Sequence, residues 1–92
     1  MSLIANDVLA TSVKFTDVEF IVDLSDGRKL SIPLVWFPRL LAASHTQRQH
    51  YEFIGGGEGI HWPDVDEDIS VAGLLAGRPS FEFTGKVQSP SI

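Results

Sequence analysis

Two neighbouring segments in which apolar and polar residues alternate constrain the fold of this 92-residue chain more than any other feature. The apolar face consists of Val18, Phe20, Val22 and Leu24 in residues 18–24, and of Leu30, Ile32 and Leu34 in residues 28–34. A period of two is typical of strands that bury one face and leave the other in water. The alternation therefore predicts two adjacent, half-buried strands.

The loop between these strands must keep their apolar faces on the same side. A two-residue turn would place Leu24 opposite Lys29, and directly opposed residues share a face of the sheet. A three-residue loop that ends at Gly27 instead pairs Val22 with Leu30. This register predicts a type I turn with Gly27 in the left-handed region and a bulge at that point.

A third strand is predicted upstream, because residues 11–15 also alternate. A two-residue loop would keep Phe15 opposite Val18, but Thr16 is poorly suited to positive φ, so a four-residue loop is an equal alternative. Either loop produces a three-stranded antiparallel meander.

The remaining residues predict short elements. In chain order these are a helix from about Pro38 to Ala43, a turn capped by Ser44 or Thr46 that runs to Arg48, strands at 51–54 and 60–62 around the glycine-rich turn 55–59, and a helix from Val71 to Ala76 that Ser70 caps. The fold class is α+β: a small three-stranded antiparallel meander, a helix, a short β-hairpin and a C-terminal helix. Residues 1–77 form a single domain, and residues 78–92 are a C-terminal extension that is partly tail.

Composition excludes several classes of protein. The chain contains no cysteine, so disulfides, thiolate metal sites and cysteine nucleophiles are excluded. No apolar run approaches the roughly 20 residues of a membrane span. The first residues lack the basic start and long apolar stretch of a signal peptide, so we expect a cytoplasmic, prokaryotic-type protein that does not bind membranes.

The net charge of −5 is unevenly distributed along the chain. Residues 28–51 hold four basic residues and no acid, whereas residues 52–77 hold six acids and no basic residue. The overall charge disfavours binding of nucleic acid by the chain alone. The two segments either face water or form a two-sided surface for a protein partner.

The stretch Gly59–Ile69 combines His61 and Trp62 with four carboxylates. The acids loosely resemble a calcium loop, but they lack its glycine at position six and its glutamate at position twelve. A zinc site would require more nitrogen ligands. We therefore expect no metal, with the acids in a solvated loop that leads into the last helix and favours its N-terminus. The glycine-rich turn lacks the Lys-Ser/Thr of a phosphate-binding loop, and no serine lies on a nucleophile elbow, so neither a cofactor nor a catalytic residue is predicted.

Trp36 and Trp62 have two interpretations. Both fit in the core, with the indole N–H donating to a carbonyl, and both fit an interaction patch, where tryptophan and arginine are enriched. For the buried alternative, we expect Trp36 to anchor strand and helix. The candidate interaction surface consists of Trp36, Arg39, His61, Trp62, Asp64 and Asp66.

Several motifs together resemble a known family. They are Asp26-Gly27-Arg28, Pro33-Leu34, Trp36-Phe37-Pro38-Arg39-Leu40, Gly59-Ile60-His61-Trp62-Pro63, Asp66-Glu67-Asp68-Ile69 and Leu74-Leu75 with Gly77. As a set they resemble the uncharacterised prokaryotic family catalogued as domain of unknown function 2442 (DUF2442). The resemblance implies a small α+β domain whose gene neighbours that of another short protein, which has prompted antitoxin-like suggestions. Some members carry a helix-turn-helix, but these 92 residues do not include one, so DNA binding is not expected here.

Two hypotheses for the function remain. The first is a non-enzymatic protein-interaction module, antitoxin-like or regulatory, whose partner is a small protein or a second copy of the chain. The second is a ligand-binding or metal-binding domain, or a weak enzyme, centred on His61 and residues 64–68. A thermal shift screen with divalent cations distinguishes these hypotheses.

Overall fold

A computed structural model of the chain describes residues 8–83, which form two three-stranded antiparallel sheets and three short helices. The first sheet contains β1 (Ala10–Phe15), β2 (Glu19–Leu24) and β3 (Lys29–Pro33), and the second contains β4 (Glu52–Ile54), β5 (Gly59–Trp62) and β6 (Glu67–Ser70). A 3-10 turn (Leu34–Trp36), α1 (Pro38–Leu41) and α2 (His45–Gln49) connect the sheets, and α3 (Val71–Leu75) follows β6. The predicted α+β class is confirmed.

The predicted register between β2 and β3 is confirmed. Val22 is paired with Leu30 and Phe20 with Ile32, so the apolar faces coincide. The N–H of Gly27 donates to the Leu24 carbonyl at 3.0 Å, and Gly27 has a φ of 95°. To keep the apolar faces of β2 and β3 on one side, the loop must have three residues, with glycine in the left-handed region.

The link between β1 and β2 is the four-residue alternative. Phe15 is paired with Phe20, so the two-residue loop that placed Phe15 opposite Val18 is wrong. The hydroxyl oxygen of Thr16 accepts from the N–H groups of Val18 and Glu19, at 3.3 and 3.0 Å. The threonine side chain thus satisfies turn amides, a role that needs no positive φ.

The serines that cap α2 and α3 are among those predicted from the sequence. Ser44 is the N-cap of α2 and forms a capping box with Gln47, so Ser44 rather than Thr46 is the capping residue. Ser70 caps α3 by accepting from the N–H of Gly73 at 2.9 Å. The helix α1 ends at Leu41, two residues before the predicted Ala43.

The strand β6 was not predicted. The predicted acidic loop of residues 64–68 overlaps it: Glu67 and Asp68 instead pair with β5, and no acid lies in the first turn of α3, so the predicted support of that helix by these acids is wrong. In β6 Glu67 and Ile69 are buried while Asp68 and Ser70 are exposed, which is the alternation of a strand. Acidic residues are depleted in strands, so a segment rich in them is not expected to be a strand even though its residues alternate with a period of two.

The core lies between the sheets and is rich in aromatic rings. Trp62 is 0% exposed, packs edge-on against Phe20 and Phe15 at centroid distances of 6.3 Å, and donates its indole N–H to the carbonyl of Arg48 at 3.0 Å. Burial of such a ring contributes several kilocalories per mole to stability, and the hydrogen bond offsets the desolvation of its N–H.

The glycine-rich turn docks the second sheet on the first. The N–H of Ala10 in β1 donates to the carbonyl of Gly57 at 2.8 Å. Gly57 is buried with a φ of 121°, and a Cβ atom there would lie 2.5 Å from the Ala10 carbonyl oxygen. Only glycine allows this backbone approach, so the turn joins the two sheets.

The residues that follow α3 pack on the connection between the sheets. The N–H of Ser80 donates to the carbonyl of Trp36 at 3.0 Å, and the ring of Phe83 lies 6.3 Å from that of Trp36. Of the residues predicted as an extension, 78–83 are thus in contact with the domain, and 84–92 lie outside the described residues. None of the helices between residues 8 and 83 has the length and apolar character needed to cross a bilayer.

Candidate functional site

The structure separates the residues of the predicted interaction surface. Trp62 is in the core, so its assignment to a surface is wrong, and its alternative interpretation as a core residue with a bonded indole N–H is right. Trp36 is half-buried against the core and Phe83, so it packs between the connection and the core as the buried alternative expects, but less deeply than a largely buried anchor. Arg39 and His61 are half-buried, whereas Asp64 and Asp66 are exposed.

The acids of residues 64–68 contact different basic side chains instead of converging. Asp64 pairs with His50 at 2.9 Å, and Asp68 pairs with His61. The alternation of β6 directs Asp68 outward and Glu67 inward. Between residues 8 and 83 no group of three or more histidine and acidic side chains is placed to hold a metal ion.

His61 and Asp68 form a cross-strand pair on the outer face of the second sheet. They are directly opposed in β5 and β6, and Glu52 in β4 is opposite His61 on its other side. The hydrogen bond to Asp68 is the main cause of a raised pKa of His61, and partial burial opposes it. This hydrogen bond favours the protonated, positively charged form of His61 on this face.

Arg39 connects α1, the loop before β6 and the C-terminal segment. Its guanidinium donates to the backbone carbonyl of Asp66 at 2.7 Å and to the carboxylate of Glu82 at 3.1 Å. Asp66 has a φ of 53°, a left-handed conformation that aspartate tolerates better than most residues. The hydrogen bond to Glu82 is the main cause of a raised pKa of Arg39, so the arginine stays charged.

A buried carboxylate lies beside this arginine. Glu67 is 9% exposed, and its Oε1 atom has no hydrogen-bond partner among residues 8–83. Burial raises the pKa of the Glu67 carboxyl, while the nearby charge of Arg39 lowers it. A buried acceptor without a partner carries a desolvation cost of about 1–3 kcal/mol, which makes Glu67 a candidate functional residue.

Glu67 lines an open crevice of about 290 Å³. We use "the crevice" for the space bounded by β6 together with Phe37, Leu74, Arg78, Pro79, Ser80 and Phe81. The candidate interaction surface omits Glu67, Arg78 and Phe81; Glu67 belongs to the acidic stretch 64–68 of the second hypothesis, whereas Arg78 and Phe81 belong to neither hypothesis. The available signal was the period of two in residues 67–70, which places Glu67 on the same face as Ile69.

A larger hollow of about 750 Å³ lies beside α3. Its lining is mainly alkyl groups, including Val8, Val71 and Leu75, and the hydroxyl of Ser70 there is already engaged as the cap of α3. Its other polar side chain is the exposed carboxylate of Glu58, and no buried side-chain atom without a hydrogen-bond partner lies among its described lining residues, whereas the crevice has one at Glu67. The crevice, although smaller, is therefore the better candidate site.

Comparisons with known proteins give a family and two similar structures. The family described as Protein of unknown function (DUF2442) matches residues 10–80. A crystal structure of a protein of unknown function from Rhodospirillum rubrum is 31% identical with a TM-score of 0.70, covering 83% of this chain and 94% of that one. A solution structure of an uncharacterised protein from Chromobacterium violaceum is 23% identical with a TM-score of 0.68, covering 89% of this chain and 76% of that one. No curated protein matches the chain.

Proposed function

Because the chain belongs to the family Protein of unknown function (DUF2442), we propose its function from its own surface: it is a small non-enzymatic module that binds a protein partner in an antitoxin-like or regulatory role. The binding site is the crevice and its rim.

The observation that carries this proposal is the exposure of Phe81. Its side chain lines the crevice and is 93% exposed, far more than the other large apolar side chains of residues 8–83. Aromatic residues are enriched at protein interfaces, where one ring in a pocket often contributes much of the binding energy. An exposed phenylalanine beside a concave, partly apolar surface fits a partner contact.

Charge indicates the chemistry of the partner. The charged residues that line the crevice are Glu67, Asp68 and Arg78, two acids and one base, while the nearby Arg39 is paired with Asp66 and Glu82. The region thus has an excess of negative charge, in line with the net charge of −5 for the chain. Complementary charge accelerates association and selects partners, so the proposed partner is a small protein with a basic contact surface.

The test is coexpression with the products of the adjacent genes, followed by calorimetric titration of any partner obtained. Phe81→Ala should weaken binding by about tenfold or more, as expected for an interface anchor. Val18→Ala is the control, because Val18 is 72% exposed in the β1–β2 turn, outside the crevice. Equal affinity of both variants, or the absence of any binding product, would contradict the proposal. Sedimentation of the chain alone tests the other alternative, a second copy as partner.

A further inference from the structure

The buried side chain of Glu67 has one carboxylate oxygen, Oε1, without a hydrogen-bond partner among residues 8–83. Oε1 is shielded from solvent and accepts no hydrogen bond within this part of the chain. Buried acceptors are nearly always satisfied in folded proteins, and exceptions need an explanation. Glu67 is one of the residues that line the crevice, so its carboxyl group lies at the border of this open space.

The walls of the crevice suit a group with an apolar stem and a charged end. Phe37, Leu74, Pro79 and Phe81 supply hydrocarbon and aromatic surface, and Glu67 supplies the acceptor. Lysine and arginine side chains combine these two parts, because each has an apolar stem of methylene groups and a charged end. A guanidinium also stacks on aromatic rings and pairs with a carboxylate in a bidentate manner.

We propose that the crevice receives an arginine or lysine side chain of the partner protein, whose cationic head pairs with the carboxylate of Glu67. This inference rests on the proposed function and names the group that the partner inserts.

The crevice is large enough to hold one side chain and is open to solvent, so the rest of a partner can remain outside it. Pockets for drug-sized molecules usually measure about 300–1,000 Å³, and this one measures about 290 Å³ and is open to solvent. A single inserted side chain fits such a volume, with the remainder of the partner resting on the rim. Phe81 lies on that rim, where it can contact the stem of the inserted residue.

The charges that face Glu67 determine how a cation would bind. Arg39 on α1 is attractive to Glu67, whereas Glu82 of the C-terminal segment and the neighbouring Asp68 repel it. Arg39 is already held by Glu82 and the Asp66 carbonyl, so it does not neutralise Glu67 fully. Arg78 lines the crevice, but within residues 8–83 no ion pair joins it to Glu67.

The experiment uses the full chain and small probes, so it needs no partner. N-acetyl-arginine amide, N-acetyl-lysine amide and the uncharged N-acetyl-citrulline amide are titrated at constant ionic strength while amide chemical shifts are recorded. The two cationic probes should shift the amides of Asp68, Gly73 and Ser80, which line the crevice, and citrulline should not. Putrescine tests a free amine as the source of the cation.

Glu67→Gln should weaken binding of the arginine probe by about tenfold, because it removes the charge while it keeps the shape. Glu19→Gln is the matched control, since it removes an equal charge on β2, outside the crevice. If Glu67→Gln fails to fold, the carboxyl shift of Glu67 in the unaltered chain provides the readout. Its pKa should fall when the arginine probe saturates the site, against the opposing effects of Glu82 and Asp68.

The inference is overturned if the arginine and citrulline probes cause equal shifts, or if Glu67→Gln and Glu19→Gln bind the arginine probe equally. It is also overturned if the pKa of Glu67 does not change, or if putrescine binds more tightly than either cationic amide. These results are independent of the partner experiment. If a partner binds and requires Phe81 but the probes do not bind, the proposed function stands and the cation pocket is wrong. If the probes bind but no partner is found, the pocket stands and the proposed function fails.

Discussion

Replacing Gly57 by alanine should separate the two sheets, and this substitution tests the architecture most sharply. Gly57 contributes no side chain to the core, yet its backbone contacts β1 through the hydrogen bond from Ala10. An added Cβ atom would lie 2.5 Å from the carbonyl oxygen of Ala10 and 3.0 Å from the Cβ of Leu9. Since backbone atoms cannot move aside as a flexible side chain can, the turn must withdraw.

The cost has two parts. Positive φ in a residue other than glycine costs roughly 1–3 kcal/mol. Loss of the Ala10–Gly57 hydrogen bond, with its groups left buried, adds about 1–3 kcal/mol. Together they amount to roughly 2–6 kcal/mol, a large part of the 5–15 kcal/mol that stabilises an ordinary domain.

Gly27→Ala is the matched control for this prediction. Gly27 also has positive φ, at 95°, but no atom lies within 4 Å of an added Cβ. The control therefore carries only the conformational cost, on the order of 1–2 kcal/mol. The difference of about 2 kcal/mol corresponds to roughly 8–16 °C in melting temperature for a domain of this size.

Urea unfolding followed by tryptophan fluorescence measures both variants, because buried Trp62 reports the integrity of the core. Gly57→Ala should have the lower midpoint with an unchanged denaturant dependence. If it is as stable as Gly27→Ala, the close approach of the turn to β1 is incorrect, and with it the reasoning that joins the sheets.

Three other outcomes are expected. Trp36→Ala should cost about 2–3 kcal/mol in thermal unfolding, less than the 3–5 kcal/mol typical of a fully buried ring, because Trp36 is half-buried; a cost equal to that of Trp62→Ala would contradict the packing. His61 has a pKa raised above 6.5 by Asp68, so its stabilisation is fully present below pH 6.5 and is lost as the pH rises through the folded pKa. A pH series of melting temperatures should show this loss in the unaltered chain and not in His61→Gln. Calcium, magnesium or zinc at millimolar concentration should leave the melting temperature unchanged, and a cation-specific rise that disappears in His61→Ala would favour the metal-site hypothesis.

The first sheet could be predicted from the sequence because its information is local. Matching the apolar faces of two adjacent strands leaves only a three-residue loop, and this requirement places Gly27 in the left-handed region. Capping by Ser44 and Ser70 is also local, since each serine hydroxyl accepts from an N–H three residues later. Such features depend on a few neighbouring residues and are independent of the rest of the fold.

The crevice could not be predicted, because it depends on contacts between distant segments. β6 has only four residues, two of them acidic, so its alternation is a weak strand signal and its composition is typical of a solvated loop. Ser80 lines the crevice and donates its N–H to the carbonyl of Trp36, and nothing in the local sequence of either segment indicates this contact. The indole of Trp62 illustrates the same limit, since only the packed structure distinguishes a core tryptophan from a surface one.

The most direct test of the account is hydrogen–deuterium exchange of the chain with and without its protein partner. If the crevice is the binding site, the partner should protect β6 and residues 78–83, which contain most of the crevice lining. Exchange in β4 and in the β1–β2 turn should not change. Protection confined to β4 or to the outer face of the first sheet, with β6 and residues 78–83 unaffected, would contradict the central claim that the crevice is the binding site.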